Sequence, residues 1–498
     1  MLNSYLIPSA SINEAGSSAE PVTTAAEQEI TPFWRVARFL ALVIVSIGAN
    51  YFAPKFVASA LWIALLFIYS RSKDEGFWLA YFLVLSDGFF GFFGMYSAML
   101  EVIPGLPGVE AGQIYIIIGI VKASNRNLTF KPFYNPILGL LFIYLLFLLV
   151  QGYVLGVSME MNVQFRLLKW LTPLFLFYSM PRLFTSVEQY RDVFLYLFPV
   201  ALVACGAQFF TLLNAHSPMQ FFGVAKKAKF AIKVTAHKTY RGLYNESILL
   251  ITYFGALFFL AFKPGKYFRS WYLFLIILAN FGSVFLSATR GWVICFSLSL
   301  ILSLLFVLKL SAGRVMNMLV VFLVLLFGAQ SLPVIGLQIQ NSIKRLLTLE
   351  KLAEGDLSAG GTLIRLNTRG PRVMKKFADS PLTGFGFSTE FMDFNDFHVG
   401  NQNILLHSGV IGYALLHFFF IYFMFKLFVR NMDLPPEHTY RGTLLIFSLF
   451  FPAWFFLHSS SQQFFSYYQT VQGGLIQGVF FCMGALMYHL AEKENESN

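Results

Sequence analysis

Three stretches of the chain hold side chains that could do chemistry on an anion. The first is YRGLYNES, with Arg241 and Asn245; the second is the tight turn SATRG, with Arg290. The third carries Arg365, Arg369, Arg372 and Lys376 at spacings of four, three and four, then DFNDFH with Asp393, Asp396 and His398, then Asn401 and Asn403. Arginine is a permanently charged planar fork that pairs with phosphate or carboxylate through two parallel bonds. Histidine can accept and return a proton near neutral pH. The D-x-x-D-x-H run could instead ligate Mn²⁺ or Zn²⁺. No second cluster completes a metal shell, so no metal and no cofactor is expected. His407 and His417 lie deeper in an apolar run and are expected to pack or hydrogen-bond inside the fold.

The elements that must position these groups are set by composition. The chain is 57% hydrophobic and only 12% charged, against roughly 25% charged in soluble domains. Apolar runs of about 20 residues recur, and a bilayer interior satisfies backbone groups only in helices or closed barrels. The expected class is an all-α polytopic membrane protein. Hydropathy reads about fourteen spans, with both termini in the cytoplasm by the positive-inside rule. Connections such as RSK, KPGKYFR and KLFVRNMDLPPEHTYR then face the cytoplasm, and cation-poor ones such as EVIPGLPGVEAG face outward.

Three places break that rule. External loop 214–245 carries Lys226, Lys227, Lys229, Lys233, Lys238 and Arg241; external loop 335–402 carries Arg365, Arg369, Arg372 and Lys376; Arg290 sits in an external turn. Cations with no topological purpose point to an anionic ligand on that face. Anionic lipid headgroups, worth about 1 kcal/mol per charge near the surface, are the plainer alternative.

The expected organisation is a disordered cytoplasmic tail over 1–32, a membrane bundle over 33–334 interrupted by loop 214–245, an external loop over 335–402, and C-terminal spans over 403–498. The tail lacks the basic start and short apolar core of a signal peptide. Within the long loop, NSIKRLLTLEKLAEG predicts an amphipathic interfacial helix with Ser342 as N-cap, Leu346, Leu349 and Leu352 on one face, and Gly355 as its stop. Gly370-Pro371 predicts a kink in the arginine segment, with Pro371 near the first position of a second helix. Asp87, inside an apolar run, is either a functional carboxylate or a helix-packing site. Cys205, Cys295 and Cys482 all fall in apolar runs and predict neither disulfides nor thiol chemistry.

Together, YRGLYNES, FLSATRGWVICF and the ordered run RLNTRGPRVMKKFADSPLTGFGFS…FHVGNQNILLHSGVIGY resemble the O-antigen ligase and O-antigen polymerase family of bacterial envelope proteins, over roughly residues 215–430. Val399 stands where the family usually has asparagine after the histidine, and Gly370-Pro371 interrupts its arginine helix. The resemblance implies a GT-C-like, metal-independent glycosyltransferase in the bacterial inner membrane, with its site on the periplasmic face. The donor would be a glycan on undecaprenyl pyrophosphate. The acceptor would be the hydroxyl of another glycan or of a lipid A core, in O-antigen or exopolysaccharide polymerisation or ligation. His398 would be the base, and Arg290 with Arg365 or Arg369 would be the diphosphate clamps. Arg241, Asn245, Arg372, Lys376, Asn401 and Asn403 would bind substrate. The partners are this donor, the acceptor, the bilayer and other polysaccharide assembly proteins, with no nucleic acid. A flippase of lipid-linked oligosaccharide is the competing expectation, although it would place its cations within the bundle and often shows two similar halves. A non-catalytic assembly scaffold is a third.

Overall fold

The computed structural model describes residues 32–86, 99–100, 108–216, 218, 233–308, 312–353, 365–396, 398–449, 453–458 and 466–497. Over these residues the regular structure is helical apart from one two-stranded ribbon. The first elements are α1 (Pro32–Phe52), α2 (Lys55–Arg71), α3 (Glu75–Ser86), the ribbon β1 (Met99–Leu100) and β2 (Val109–Glu110), α4 (Ala111–Ser124) and α5 (Asn135–Leu155). There follow α6 (Met161–Leu171), a 3₁₀ turn, α7 (Leu176–Leu183), α8 (Val187–Asn214), α9 (Glu246–Ala261), α10 (Ser270–Leu286) and α11 (Arg290–Phe306). The remainder comprises α12 (Ala312–Gln330), α13 (Pro333–Ala353), a π-helical turn (Arg365–Arg369), α14 (Gly370–Phe377), α15 (Thr389–Phe394), α16 (Gly400–Asp433), α17 (Thr443–Ile446) and α18 (Val471–Ser497).

Every apolar segment expected from hydropathy contains helix. Among the described residues, α1, α5, α8, α16 and α18 are long and apolar enough to cross a membrane. The end of α12 and the start of α13, bent by 117°, would make a sixth span if taken as one. Burial sorts these helices. Nearly every residue of α9 is buried, whereas α5 leaves Ile143, Leu146, Val150 and Val154 exposed. A helix apolar all round belongs inside a bundle or in lipid; α9 is inside the bundle, and α5 leaves an apolar face uncovered by protein.

Local chemistry fixes where key helices start. Ser186 caps α8: its side chain accepts from the Gln189 backbone N–H at 3.4 Å, and Gln189 Oε1 accepts from the Ser186 N–H at 3.2 Å. Buried Glu75 at the start of α3 holds Lys122 at 2.9 Å and Arg126 at 3.1 Å, joining α3 to the end of α4. Arg35 reaches Asp192 at 2.9 Å and ties α1 to α8.

The long loop departs from its expected form in one respect. Its helix begins nine residues before Ser342, at Pro333, so Ser342 is a buried residue inside α13 rather than its N-cap. The turns of α13 before Ser342 are held by protein: Ile335 and Ile339 pack with Leu212, Val234, Tyr240 and Leu286 in a satellite core. Pro333 needs no N–H at a helix start, which makes it the better initiator. Pro371 stands in the first turn of α14, which follows the π-helical turn directly, with Arg369 itself in the right-handed helical region. The three cysteines are buried. The tail up to residue 31, Asp87, Lys226, Lys227, Lys229 and Gly355 lie outside the described residues.

Candidate functional site

The site begins with a fault in a helix. Within α16, Gly409 has φ 63° and ψ −174°, which breaks the helical path. A break strands backbone groups, and at membrane depth protein must satisfy them. Here the loop Ser380–Phe387 does so from both sides. Phe385 N–H donates to Leu406 O at 2.9 Å and Gly386 N–H to His407 O at 2.8 Å. Beyond the break, Val410 N–H donates to Pro381 O at 2.9 Å and Ile411 N–H to Leu382 O at 3.2 Å. The loop can come this close because Gly384 and Gly386 take positive φ. The other wall is α5: Gln151 donates to Thr383 Oγ1 at 2.9 Å and Gly384 O at 2.8 Å, and Phe387 N–H reaches Leu148 O at 3.4 Å. His407 sits just before the break, fully buried, with ring centroids 4.5 Å from Phe387, 4.7 Å from Phe391 and 4.8 Å from Tyr468. It packs, whereas His417 hydrogen-bonds through Nδ1 to Tyr413 O at 2.8 Å.

The arginine segment leads into this loop and His398 leads into α16, and Asp396 organises them. Its carboxylate accepts from Arg369 Nη1 at 3.1 Å, lies 3.9 Å from Arg372 Nη2, and accepts the His398 backbone N–H at 3.0 Å. Arg372 also donates to Phe394 O at 3.3 Å. Asn403, fully buried, grips the Asp396 backbone twice: its Oδ1 accepts from Asp396 N–H at 2.9 Å and its Nδ2 donates to Asp396 O at 2.7 Å. The amide expected to bind sugar is thus occupied in holding the turn that presents His398. His398 is half-buried, and its Nδ1 is shielded from solvent with no hydrogen-bond partner. Asn401 stands half-buried in the first turn of α16.

Lys376 turns away from this cluster. It pairs with Glu390 and, at 3.1 Å, with Asp379, and the Glu390 contact leads in raising its pKa above the ordinary lysine value. The side chain of Arg365 is outside the described residues. Among the described residues no group of three His, Cys, Asp or Glu side chains could hold a metal. Asp393, Asp396 and His398 therefore form no metal site, because Asp396 is committed to arginines. That organising role was not legible in advance, because Arg369 lies 27 residues away in sequence.

Arg241, Asn245 and Arg290 belong to a second group. Arg241 is exposed on the coil that leads into α9. Asn245 precedes α9 at φ 49°, is buried, and neither atom of its amide has a hydrogen-bond partner. Arg290 is the first residue of α11, half-buried, after a turn in which Ala288 has φ 52°. Both segments sit at helix N-termini, where free N–H groups and the helix dipole favour anions.

Compared with known proteins, the chain matches no protein-family model and no curated sequence.

Proposed function

We propose that this protein is an inner-membrane glycosyltransferase that moves a glycan from undecaprenyl pyrophosphate to an acceptor hydroxyl on the periplasmic face. The chain would cross the membrane about fourteen times with both termini in the cytoplasm, as the charge alternation suggests. One observation carries the reading: a histidine with a shielded, unpaired ring nitrogen is presented on the same carboxylate that aligns two arginines.

In this reading the His398 imidazole takes the proton from the acceptor hydroxyl as its oxygen attacks the anomeric carbon. The bond from that carbon to the diphosphate oxygen breaks, and the diphosphate leaves with its electron pair. His398 later gives the proton to water. Charge grows on the leaving diphosphate, and pre-oriented guanidinium groups at Arg290, Arg241 and Arg369 would stabilise it most where water is excluded. General-base assistance contributes about 10²–10⁴-fold in such reactions.

The test is reconstitution with an undecaprenyl-pyrophosphate glycan and an acceptor, scoring product size and released polyprenyl pyrophosphate. A ladder of products identifies a polymerase, and a single transfer to a lipid core identifies a ligase. Arg290→Lys should lose most activity, because lysine keeps the charge but not the fork. Glycan that crosses the membrane unchanged, with no carrier released, would sink the enzyme reading in favour of a flippase.

A further inference from the structure

One carboxamide in the satellite core joins the two arginine-bearing segments of the second group. Gln338 on α13 is fully buried. Its Oε1 accepts the Tyr240 N–H at 3.1 Å, and its Nε2 donates to Tyr240 O at 3.0 Å and to Leu286 O at 2.6 Å. Tyr240 is the residue immediately before Arg241. Leu286 ends α10, four residues before Arg290, and its carbonyl is one of those a helix end leaves without an intrahelical partner. A single side chain thus takes both backbone groups of one segment and a terminal carbonyl of the other.

We infer that Gln338 is a positioning residue that fixes the segment carrying Arg241 against the turn carrying Arg290, and so sets how the two meet an anionic diphosphate. The inference rests on the donor reading above. Ile335 and Ile339 flank Gln338 on α13 and seal it with Tyr240 and Leu286, keeping water from competing for its bonds. One turn on, Asn341 Nδ2 donates to Thr235 O at 3.1 Å and anchors the same coil further back. α13 therefore works as a strut between two loops. Positioning of this kind matters because a displacement of about 1 Å in a binding or catalytic group can cost about 10²-fold in rate.

The experiment uses the full chain in lipid nanodiscs, as wild type, Gln338→Leu and Gln338→Glu. Hydrogen–deuterium exchange reads the Tyr240 amide directly, and binding is measured with undecaprenyl pyrophosphate, with undecaprenol as the uncharged control. Gln338→Leu should speed exchange over 235–245 and 287–290 while α9 and α16 keep their protection. It should weaken undecaprenyl pyrophosphate binding about tenfold, the scale of one lost charge-assisted bond, without changing undecaprenol binding. Gln338→Glu keeps an acceptor for Tyr240 N–H and should fall between the two. In an Arg290→Lys background Gln338→Leu should add little. Unchanged exchange in Gln338→Leu overturns the inference, as does loosened exchange with undiminished affinity. Loosened exchange in a protein whose wild type has no affinity for undecaprenyl pyrophosphate would overturn the donor reading and leave the strut standing.

Discussion

Replacing Gly409 by alanine tests the construction of the site without assuming any function. A Cβ on this residue would lie 2.1 Å from Leu382 O, 2.3 Å from Leu382 C and 2.4 Å from Thr383 N, all backbone atoms. Its φ and ψ also fall in a region open essentially to glycine alone, where another residue costs about 1–3 kcal/mol. To relieve the clash the loop must back away. It would then lose the bonds from Val410 N–H to Pro381 O and from Ile411 N–H to Leu382 O, at about 1 kcal/mol each. The expected total is about 3–5 kcal/mol. Hydrogen exchange over 380–388 in nanodiscs should rise sharply, and the thermal midpoint should fall. Gly139 supplies the control: it lies within α5 with nothing within 4 Å of a new Cβ, so Gly139→Ala should be neutral or gain up to about 1 kcal/mol. A Gly409→Ala protein with wild-type exchange over 380–388 and an unchanged midpoint would refute the claim that the loop splints the broken helix.

Three further outcomes are expected. Asp396→Asn should change stability by less than about 1 kcal/mol, since its partners Arg369 and Arg372 are over a third exposed and solvent-screened, yet reduce transfer activity at least tenfold; wild-type turnover would remove Asp396 as organiser. Asn403→Ala strips two bonds from the half-buried Asp396 backbone and should cost about 2–3 kcal/mol, read as a lower melting midpoint and faster exchange at 396–399. Ser186→Ala removes one arm of the α8 capping box and should cost about 1 kcal/mol of stability, with no change in undecaprenyl pyrophosphate affinity.

What the sequence made legible was local. Apolar runs located helices, and the Gly370-Pro371 pair located the start of α14, because each follows from the chemistry of neighbouring residues. What it hid was tertiary. The leucines at 346, 349 and 352 predicted only the later part of α13. The earlier part is held by Ile335, Gln338 and Ile339 against α8, α10 and the Tyr240 coil, and no local pattern announces such partners. Asp396 entered only as part of a weighed metal alternative, and its arginine partner Arg369 lies 27 residues away in sequence. Asn403 entered as a substrate amide through the family resemblance, which says nothing of its grip on the Asp396 backbone. The glycines of SPLTGFG permit a close approach of backbone, but nothing local says that the approach is to a gap in α16.

That gap also settles a matter of length. α16 runs for 34 residues, about 51 Å at 1.5 Å per residue, far more than a hydrocarbon core of about 30 Å needs. The piece after Gly409, residues 410–433, is about 36 Å long and can span that core unaided. The piece before it is then relieved of any duty to be greasy. If 410–433 is the span, residues 400–408 hold Asn401, Gln402, Asn403 and His407 where no hydrocarbon has to be crossed.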